Sequence, residues 1–297
     1  MKIAHFIVNP IAGKGNPFIT EQYLSKYFEK KHYSVVVKYS EYKGHAKLLT
    51  KQSIKEKANI IVACGGDGTI NEIASCLVHT NIALGIVPIG SGNGLARNLK
   101  ISTNVEKAIN IIKLNNTTAI DVGRINGEYF FSNTGFGFAA NTISNFENSR
   151  DRRLTTYLRA TIKSIWSFKN YKKYTIRING KKEVRDPFLV LVSNTNVMGY
   201  NFSLTRKAIL NDGLLDIVII DQLNHLKMIF FAFLFLIGSE HKIRGYSYYK
   251  FKNATIEIQN QELDIPYQLD GELKKSESGT FHLEVYKKSL IVVSAIF

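Results

Sequence analysis

Apolar and polar positions alternate along residues 1–115 in a pattern that predicts strands and helices in turn. Runs of apolar and β-branched residues predict buried strands at 3–8, 33–39, 59–63 and 83–87. Apolar residues at helical spacing between these runs predict helices at 18–31, 44–57, 69–78 and 105–112. Strands that alternate with helices favour a parallel sheet that is covered on both faces.

From residue 118 onward, short strand-like runs dominate, at 118–122, 128–132, 174–179, 188–193, 215–220, 254–259, 281–286 and 290–296. Asn126-Gly127 and Asn179-Gly180 are strong hairpin signals between such runs. Two helices are predicted at 154–168 and 225–237. We therefore predict two closely packed domains with a cleft between them: an α/β domain over 1–117 and a mainly antiparallel β domain over 118–297.

Charge and cysteine content narrow the class of partner and the compartment. The chain has 39 basic and 24 acidic residues, a formal net charge of +15. This excess suits an anionic partner, which could be nucleic acid, a membrane surface or a phosphate substrate. The two cysteines, Cys64 and Cys76, exclude a disulfide framework and favour a reduced, cytoplasmic compartment.

Three glycine-containing segments follow predicted strands. They are NPIAGKG (9–15), CGGDGTINE (64–72) and PIGSGNGLARN (88–98). Ligands of open α/β sheets bind beyond the carboxyl ends of the strands, and glycines there let backbone N–H groups approach a phosphate. We predict one nucleotide-phosphate site built from all three segments. The alternative for the second segment is a tight turn with Thr69 as a helix cap.

In this order, NPIAG, GGDGTINE and PIGSGNGLAR resemble the diacylglycerol kinase catalytic-domain family, which includes soluble bacterial lipid kinases and sphingosine kinases. The resemblance continues through NTGFG (133–137), NDGLLD (211–216) and LDGE (269–272), so it covers nearly the whole chain. It implies an α/β nucleotide domain with a parallel sheet like that of NAD kinase and phosphofructokinase, followed by a β-rich lipid-substrate domain.

The resemblance also implies a set of site residues. Those expected to bind ATP are Asn9, Pro10, Ile11, Ala12, Gly13, Ser40, Gly66, Asp67, Gly68, Thr69, Ile70, Asn71, Glu72 and Ser91. Glu272 is the implied general base, with Asp270 beside it, and Asp67 is a third candidate; the sequence does not rank the three. A structural Mg²⁺ would be held by the Asp212 carboxylate and the backbone carbonyls of Ile209 and Leu214. Without the family, the residues Asp270-Gly271-Glu272 favour a hairpin turn, since Asp-Gly is a common turn pair.

The third segment departs from the family at Gly94, where many members carry Asp. Small residues at this position are similar to those of sphingoid-base kinases. NAD kinase is the alternative within the same broad fold, although its usual third segment differs from GSGNGLARNL. A non-catalytic nucleotide or nucleic-acid binder is the alternative from another class, but nothing in the chain resembles a nucleic-acid motif.

The resemblance therefore implies an ATP- and Mg²⁺-dependent kinase that phosphorylates a hydroxyl of a membrane lipid, of diacylglycerol or sphingoid-base type. The apolar run at 228–237 is too short to span a bilayer, which needs about 20 apolar residues. Basic residues flank it, which suits peripheral contact with an anionic membrane; the alternative is a buried helix. A second basic cluster precedes Trp166: Arg150, Arg152, Arg153, Arg159 and Lys163. The oligomeric state stays open, with a homodimer as one alternative.

Overall fold

The computed structural model describes residues 1–13, 18–147, 154–168, 173–197, 203–259 and 264–295. Lys14 and Gly15 of the first glycine segment lie outside the described residues, as do Arg150, Arg152 and Arg153 of the predicted basic cluster. The chain divides into two compact units. The first comprises Met1–Val122 and Lys287–Phe297, and the second comprises Gly123–Tyr286.

Strands and helices alternate in the first part of the chain, and strands dominate the rest. The strands are β1 (Lys2–Val8), β2 (Tyr33–Tyr39), β3 (Ile60–Gly65), β4 (Ala83–Pro88), β5 (Thr117–Ile125), β6 (Glu128–Phe130), β7 (Asn133–Gly137), β8 (Tyr174–Ile178), β9 (Lys181–Arg185), β10 (Pro187–Ser193), β11 (Leu215–Asp221), β12 (Tyr246–Phe251), β13 (Asn253–Ile258), β14 (Ile265–Leu269), β15 (Glu272–Ser276) and β16 (Thr280–Val293). The helices are α1 (Glu21–Leu24), α2 (His45–Lys55), α3 (Asp67–Leu77), α4 (Gly94–Asn98), α5 (Val105–Leu114), α6 (Phe138–Glu147), α7 (Leu154–Ser167) and α8 (His225–Leu236).

A parallel sheet forms the first unit. Its strands lie in the order β2-β1-β3-β4, and the end of β16 adds to β4 in parallel, with Val292 opposite Leu84. Strands β3 and β4 are buried along their whole length, because helices cover both faces of such a sheet. The carboxyl ends of β1, β3 and β4 lie side by side at one edge, so the segments that follow them are brought together.

Antiparallel strands form the second unit. One sheet has the order β12-β11-β10-β7-β14-β15, while β13 pairs with β8 and with the first part of β16. One apolar core contains Phe136, Phe251 and Phe281. Another contains Phe188 and Phe231, and α8 contributes to it. A parallel α/β unit and an antiparallel β unit confirm the predicted fold class.

The first predicted helix, at 18–31, is much shorter in the structure. Helix α1 has only four residues, and turns follow it. The Ser25 hydroxyl donates to the Gln22 carbonyl at 2.8 Å, which competes with continued helical hydrogen bonding. Leu24 and Phe28 are nevertheless buried. The apolar pattern therefore predicted the buried positions correctly, although the segment does not form a long helix.

The two strands predicted at 281–286 and 290–296 form one strand, β16. Lys288 interrupts its regular geometry with a φ of +49°. The backbone N–H of Lys288 donates to the buried carboxylate of Asp121 at 2.7 Å, so the irregular residue keeps a hydrogen-bond partner and the strand continues. In the described part of the chain, no helix is both long and apolar enough to cross a bilayer.

Candidate functional site

The three glycine-containing segments meet at the carboxyl edge of the first unit's sheet. The Asn9 N–H donates to the Cys64 carbonyl at 2.9 Å, and the Asn9 side-chain amide donates to Thr69 Oγ1 at 3.1 Å. The N–H of Ile89 donates to the Gly65 carbonyl at 2.9 Å. The first segment is thus bonded to the second and the second to the third, as the strand order requires.

Two glycines are needed because the segments approach each other so closely. A Cβ added at Gly90 would lie 2.5 Å from the Cα of Gly66, and one at Gly92 would lie 2.6 Å from Asp67 Oδ2. Side chains at these positions would push the third segment away from the second. Part of the glycine pattern is therefore explained by contact between the segments themselves.

Asp67 is the residue that joins the second segment to the third. It is the first residue of α3, and Gly66, not Thr69, is the N-cap. Its Oδ2 accepts the N–H of Asn93 at 2.8 Å, and its Oδ1 accepts the N–H of Gly94 at 2.8 Å. The Asp67 carboxylate therefore caps the short helix α4, since the side chain of its N-cap residue, Asn93, makes no capping bond and donates instead to the Gly90 carbonyl. Burial raises the pKa of Asp67, and the two N–H donors oppose that rise.

The remaining predicted residues of the first unit lie in different environments. Glu72 Oε1 accepts the Gly44 N–H at 2.8 Å, so it ties the segment after β2 to α3. The N–H of buried Ser40 donates to the Val8 carbonyl at 2.9 Å. Ile70 is buried in the core and offers no side chain to a ligand, whereas Ile11 is 84% exposed. The others lie on the surface or in partly buried positions of these segments: Pro10, Ala12, Gly13, Gly68, Asn71 and Ser91.

In the second unit, Asp270 and Gly271 form the turn between β14 and β15. Their φ angles are +48° and +84°, the pattern of a two-residue hairpin turn. The hairpin reading of this pair is thus correct as geometry. The Asp270 carboxylate does more than make a turn, because it accepts the N–H groups of Ser132, Asn133 and Phe131 at 2.8, 3.0 and 2.9 Å.

A buried amide pair supports this turn, and the sequence analysis did not single it out. Gln268 Nε2 donates to Asn133 Oδ1 at 2.6 Å, and Gln268 Oε1 accepts the Gly271 N–H at 3.0 Å. Both side chains are at most 5% exposed. The signal was present, because Gln268 directly precedes the LDGE segment and Asn133 opens NTGFG. Glu272 begins β15 just beyond the turn and is half-buried.

The Asp212 loop does not fit Mg²⁺ as it is arranged here. Asp212 Oδ2 contacts the Lys250 ammonium at 2.6 Å, and its Oδ1 accepts the Leu214 N–H at 3.0 Å. The Lys250 ammonium also lies 3.9 Å from Asp216, whose pKa is raised by burial. A lysine already supplies the positive charge that the loop needs. Among the described residues, no cluster of three or more His, Cys, Asp or Glu side chains is placed to hold a metal ion.

Comparison with known proteins identifies the family. Residues 3–125 match the diacylglycerol kinase catalytic domain, and residues 132–293 match the YegS C-terminal NAD kinase beta sandwich-like domain. The chain belongs to the family that joins a diacylglycerol kinase catalytic domain to a YegS-type C-terminal domain. A protein named diacylglycerol kinase from Staphylococcus saprophyticus is 27% identical over 96% of this chain and 95% of its own length. One of the same name from Bacillus subtilis is 27% identical over 99% of this chain and 97% of its own.

A solved structure shares the fold of this family member. The crystal structure of a diacylglycerol kinase from Bacillus anthracis superposes with a TM-score of 0.73, covering 99% of this chain and 97% of that one. The two sequences are 18% identical, so this likeness shows the fold alone.

Proposed function

We propose that this chain is an ATP- and Mg²⁺-dependent lipid kinase. It transfers the γ-phosphoryl group of ATP to a hydroxyl of a membrane lipid of diacylglycerol or sphingoid-base type. The observation that carries the proposal is the meeting of three glycine-containing segments at the carboxyl ends of β1, β3 and β4 in a chain of this family. In this proposal residues 1–117 bind ATP and residues 118–297 bind the lipid.

The phosphates of ATP are assigned to the first and second segments. The N–H groups at the start of α4 already donate to Asp67, so that helix end is satisfied within the protein. Helix α3 is the longer one, and its N-terminus is a favourable place for an anion. Gly66, Gly68 and Asn9 surround that end, and the absence of side chains at the glycines leaves room for phosphate oxygens.

The Mg²⁺ of this proposal accompanies ATP. Magnesium in such sites is held by substrate phosphates, water and one or two carboxylates, and Asp67 and Glu72 are the acidic side chains of the second segment that could supply one. When bound, the ion neutralises charge on the transferring phosphoryl group. The protein's own part is to hold the segments in register, which the Asp67 and Glu72 hydrogen bonds do.

Glu272 is the proposed general base. Three backbone N–H groups hold the Asp270 carboxylate, which gives it the role of positioning residue. Glu272 stands on the other side of Gly271 at the start of a strand, a place from which a carboxylate can take the proton of a lipid hydroxyl. The hydroxyl oxygen then bonds to the γ-phosphorus, the bond from that phosphorus to the β–γ bridging oxygen breaks, and ADP leaves.

A lipid substrate places the enzyme at a membrane, and the net charge of +15 favours an anionic, cytoplasmic membrane surface. The test uses γ-labelled ATP with diacylglycerol, a sphingoid base, ceramide and phosphatidylglycerol in mixed micelles, with NAD as a separate acceptor. We expect labelled phospholipid from one lipid class, lost when Mg²⁺ is chelated. Phosphorylation of NAD alone would replace the proposal with NAD kinase, and ATP binding without turnover would point to a non-catalytic binder.

A further inference from the structure

Helix α8 exposes an unbroken apolar stripe. Five large side chains on the helix and that of its C-cap residue, Ile237, are between 48% and 79% exposed: Leu226, Ile229, Phe230, Phe233, Leu236 and Ile237. Their spacing of three and four residues places them on one face over the length of the helix. Proteins that act as soluble monomers rarely expose a contiguous apolar patch larger than a few hundred Å². We call this stripe the α8 face.

The opposite side of α8 is apolar as well, so burial in the core does not account for the exposed stripe. Met228, Phe231 and Leu234 are at most 7% exposed and pack in the core that contains Phe188. Three inward side chains anchor the helix to the second unit. The outward side chains add nothing to that packing, and polar residues there would satisfy the fold equally well.

Helix α7 extends the α8 face with an aromatic edge. Ile162 and Trp166, one helical turn apart, are 57% and 65% exposed. The Trp166 ring stacks on His225 with centroids 5.9 Å apart, and His225 Nδ1 lies 3.1 Å from the Ile165 carbonyl. An exposed Trp whose ring is apolar and whose N–H is polar suits the boundary between headgroups and acyl chains.

Exposed basic side chains lie on and directly beside the helices that carry this apolar surface. Lys227 lies on the first turn of α8, Lys242 and Arg244 follow the helix, and Lys163 lies on α7; all four are exposed. Between residues 222 and 245 the chain has a single acidic residue, Glu240. Glu240 is buried and paired with Arg206 at 3.1 Å, so it does not offset the exposed charges.

We propose that the α8 face is a membrane-docking surface that inserts into the headgroup region of an anionic bilayer. At about 1.5 Å per residue, α8 is about 18 Å long, which suits a helix lying in the plane of the interface. The exposed stripe carries no hydrogen-bonding side chain that would specify a protein partner. The exposed lysines and arginine on and beside these helices complement anionic headgroups.

This inference rests on the proposed lipid kinase activity for its biological purpose, but its test needs no ATP. Purified full chain is co-sedimented with phosphatidylglycerol-rich vesicles and with phosphatidylcholine vesicles. Trp166 is the one tryptophan in the sequence, so its emission reports directly on this surface. We expect binding to the anionic vesicles, with a blue shift of the Trp166 emission as the ring leaves water.

The matched variants separate the α8 face from general exposed apolar surface. Leu226→Gln with Leu236→Gln alters two residues that are 79% and 67% exposed, and Leu48→Gln with Leu114→Gln alters two that are 54% and 70% exposed elsewhere. Neither pair changes the net charge. We expect the α8 pair to weaken vesicle binding about tenfold or more, because two leucines lose their burial in lipid, while the control pair changes it less than about twofold.

A second comparison isolates the charge contribution. Lys242→Glu with Arg244→Glu should weaken binding to anionic vesicles and flatten its dependence on salt, whereas Lys51→Glu with Lys55→Glu on α2 should do so much less. Equal effects of the two charge pairs would mean that net charge alone attracts the protein to the vesicles. They would overturn the assignment of Lys242 and Arg244 to the docking surface.

Three other results would overturn the proposal. They are equal effects of the two leucine pairs, no binding of wild type to either vesicle, and a dimer in solution that the α8 pair converts to monomer. The last would mean that a second copy covers the face. A chain that binds vesicles through the α8 face yet phosphorylates no lipid would refute the kinase proposal alone. A chain that phosphorylates a short-chain lipid in micelles but ignores vesicles would refute the docking surface alone.

Discussion

Asp67 Oδ2 accepts a hydrogen bond from the backbone N–H of Asn93 at 2.8 Å, and this bond joins two of the three glycine segments. Asp67→Ala leaves that N–H and the Gly94 N–H without their acceptor, each at a cost of about 1–3 kcal/mol if it stays buried. We expect kinase turnover to fall below about a tenth of wild type, since the third segment loses its position. Initial rates with saturating ATP, together with the melting temperature, check this.

Asp121 offers a matched control within the same unit. It is buried, and its carboxylate accepts the Lys288 N–H at 2.7 Å. Asp121→Ala should lower the melting temperature but retain turnover at a temperature where the variant is folded. Equal losses of turnover in the two variants at equal stability would show that Asp67 contributes to the fold and not to the site.

Replacing the carboxyls of Asp270 and Glu272 by amides, one in each variant, distinguishes the roles of the two residues. Glu272→Gln should lower kcat by about 10²-fold or more while ATP affinity and the melting temperature stay near wild type, because a missing base affects only the chemical step. Asp270→Asn should lower the melting temperature, since an amide nitrogen faces backbone N–H donors that the carboxylate accepted. A silent Glu272→Gln beside a folded but inactive Asp270→Asn would assign the base to Asp270.

The Asp212–Lys250 contact predicts that Mg²⁺ does not stabilise the ATP-free protein. Lys250→Met removes the ammonium that lies 2.6 Å from Asp212 Oδ2 and leaves a partly buried carboxylate open to a cation. We expect this variant to gain a melting temperature that rises with Mg²⁺ concentration, because an ion bound only by the folded state stabilises it.

Asp212→Ala in the Lys250→Met background is the control for that experiment, and it should abolish the Mg²⁺ response. If the wild-type protein itself shows a Mg²⁺-dependent rise that Asp212→Ala removes, the structural magnesium implied by the family resemblance is present, and Lys250 moves aside for it.

His5 predicts a pH dependence of stability in the first unit. Burial, and then Lys38, lower the pKa of His5, while Glu56 opposes them. The folded pKa therefore lies below the unfolded value of about 6.5, so the unfolded chain binds more protons as pH falls through that value. Stability is fully present above about pH 6.5 and is lost progressively below it.

Urea unfolding at about pH 7.5 and about pH 5.5 measures this loss. His5→Phe should reduce the difference between the two midpoints. His32→Phe should not, since the His32 side chain is 62% exposed. A difference that persists unchanged in His5→Phe would assign the acid sensitivity to other groups.

The sequence predicted the architecture well wherever one pattern determined one element. Strand β2 occupies 33–39 as predicted, because a β-branched run in a parallel sheet has few alternatives. The predicted length of the first helix was wrong, because α1 has only four residues. The Ser25 hydroxyl bonds to the carbonyl of Gln22 and competes with helical hydrogen bonding, and the apolar pattern carries no sign of such a local bond.

Site chemistry was less accessible from the sequence than site location. The glycine segments predicted the edge of the sheet, since strand order follows from alternating strands and helices. Two hydrogen bonds of the site join residues that are distant in the chain. Asp67 bonds to Asn93, 26 residues away, and Asp270 bonds to Ser132, 138 residues away. No local pattern encodes such pairings, so the sequence alone does not rank the three carboxyl candidates.

The course of β16 has a consequence for how the protein is made. Residues Lys287–Phe297 belong to the first compact unit, and Leu290, Val292 and Val293 are fully buried there. The ribosome synthesises the rest of that unit first, then the entire second unit, and only then the strand that adds to β4. The nascent amino-terminal unit must therefore wait with an open sheet edge until the residues of β16 that pair with β4 have been translated, and these residues complete a unit whose other strands were made before the second unit.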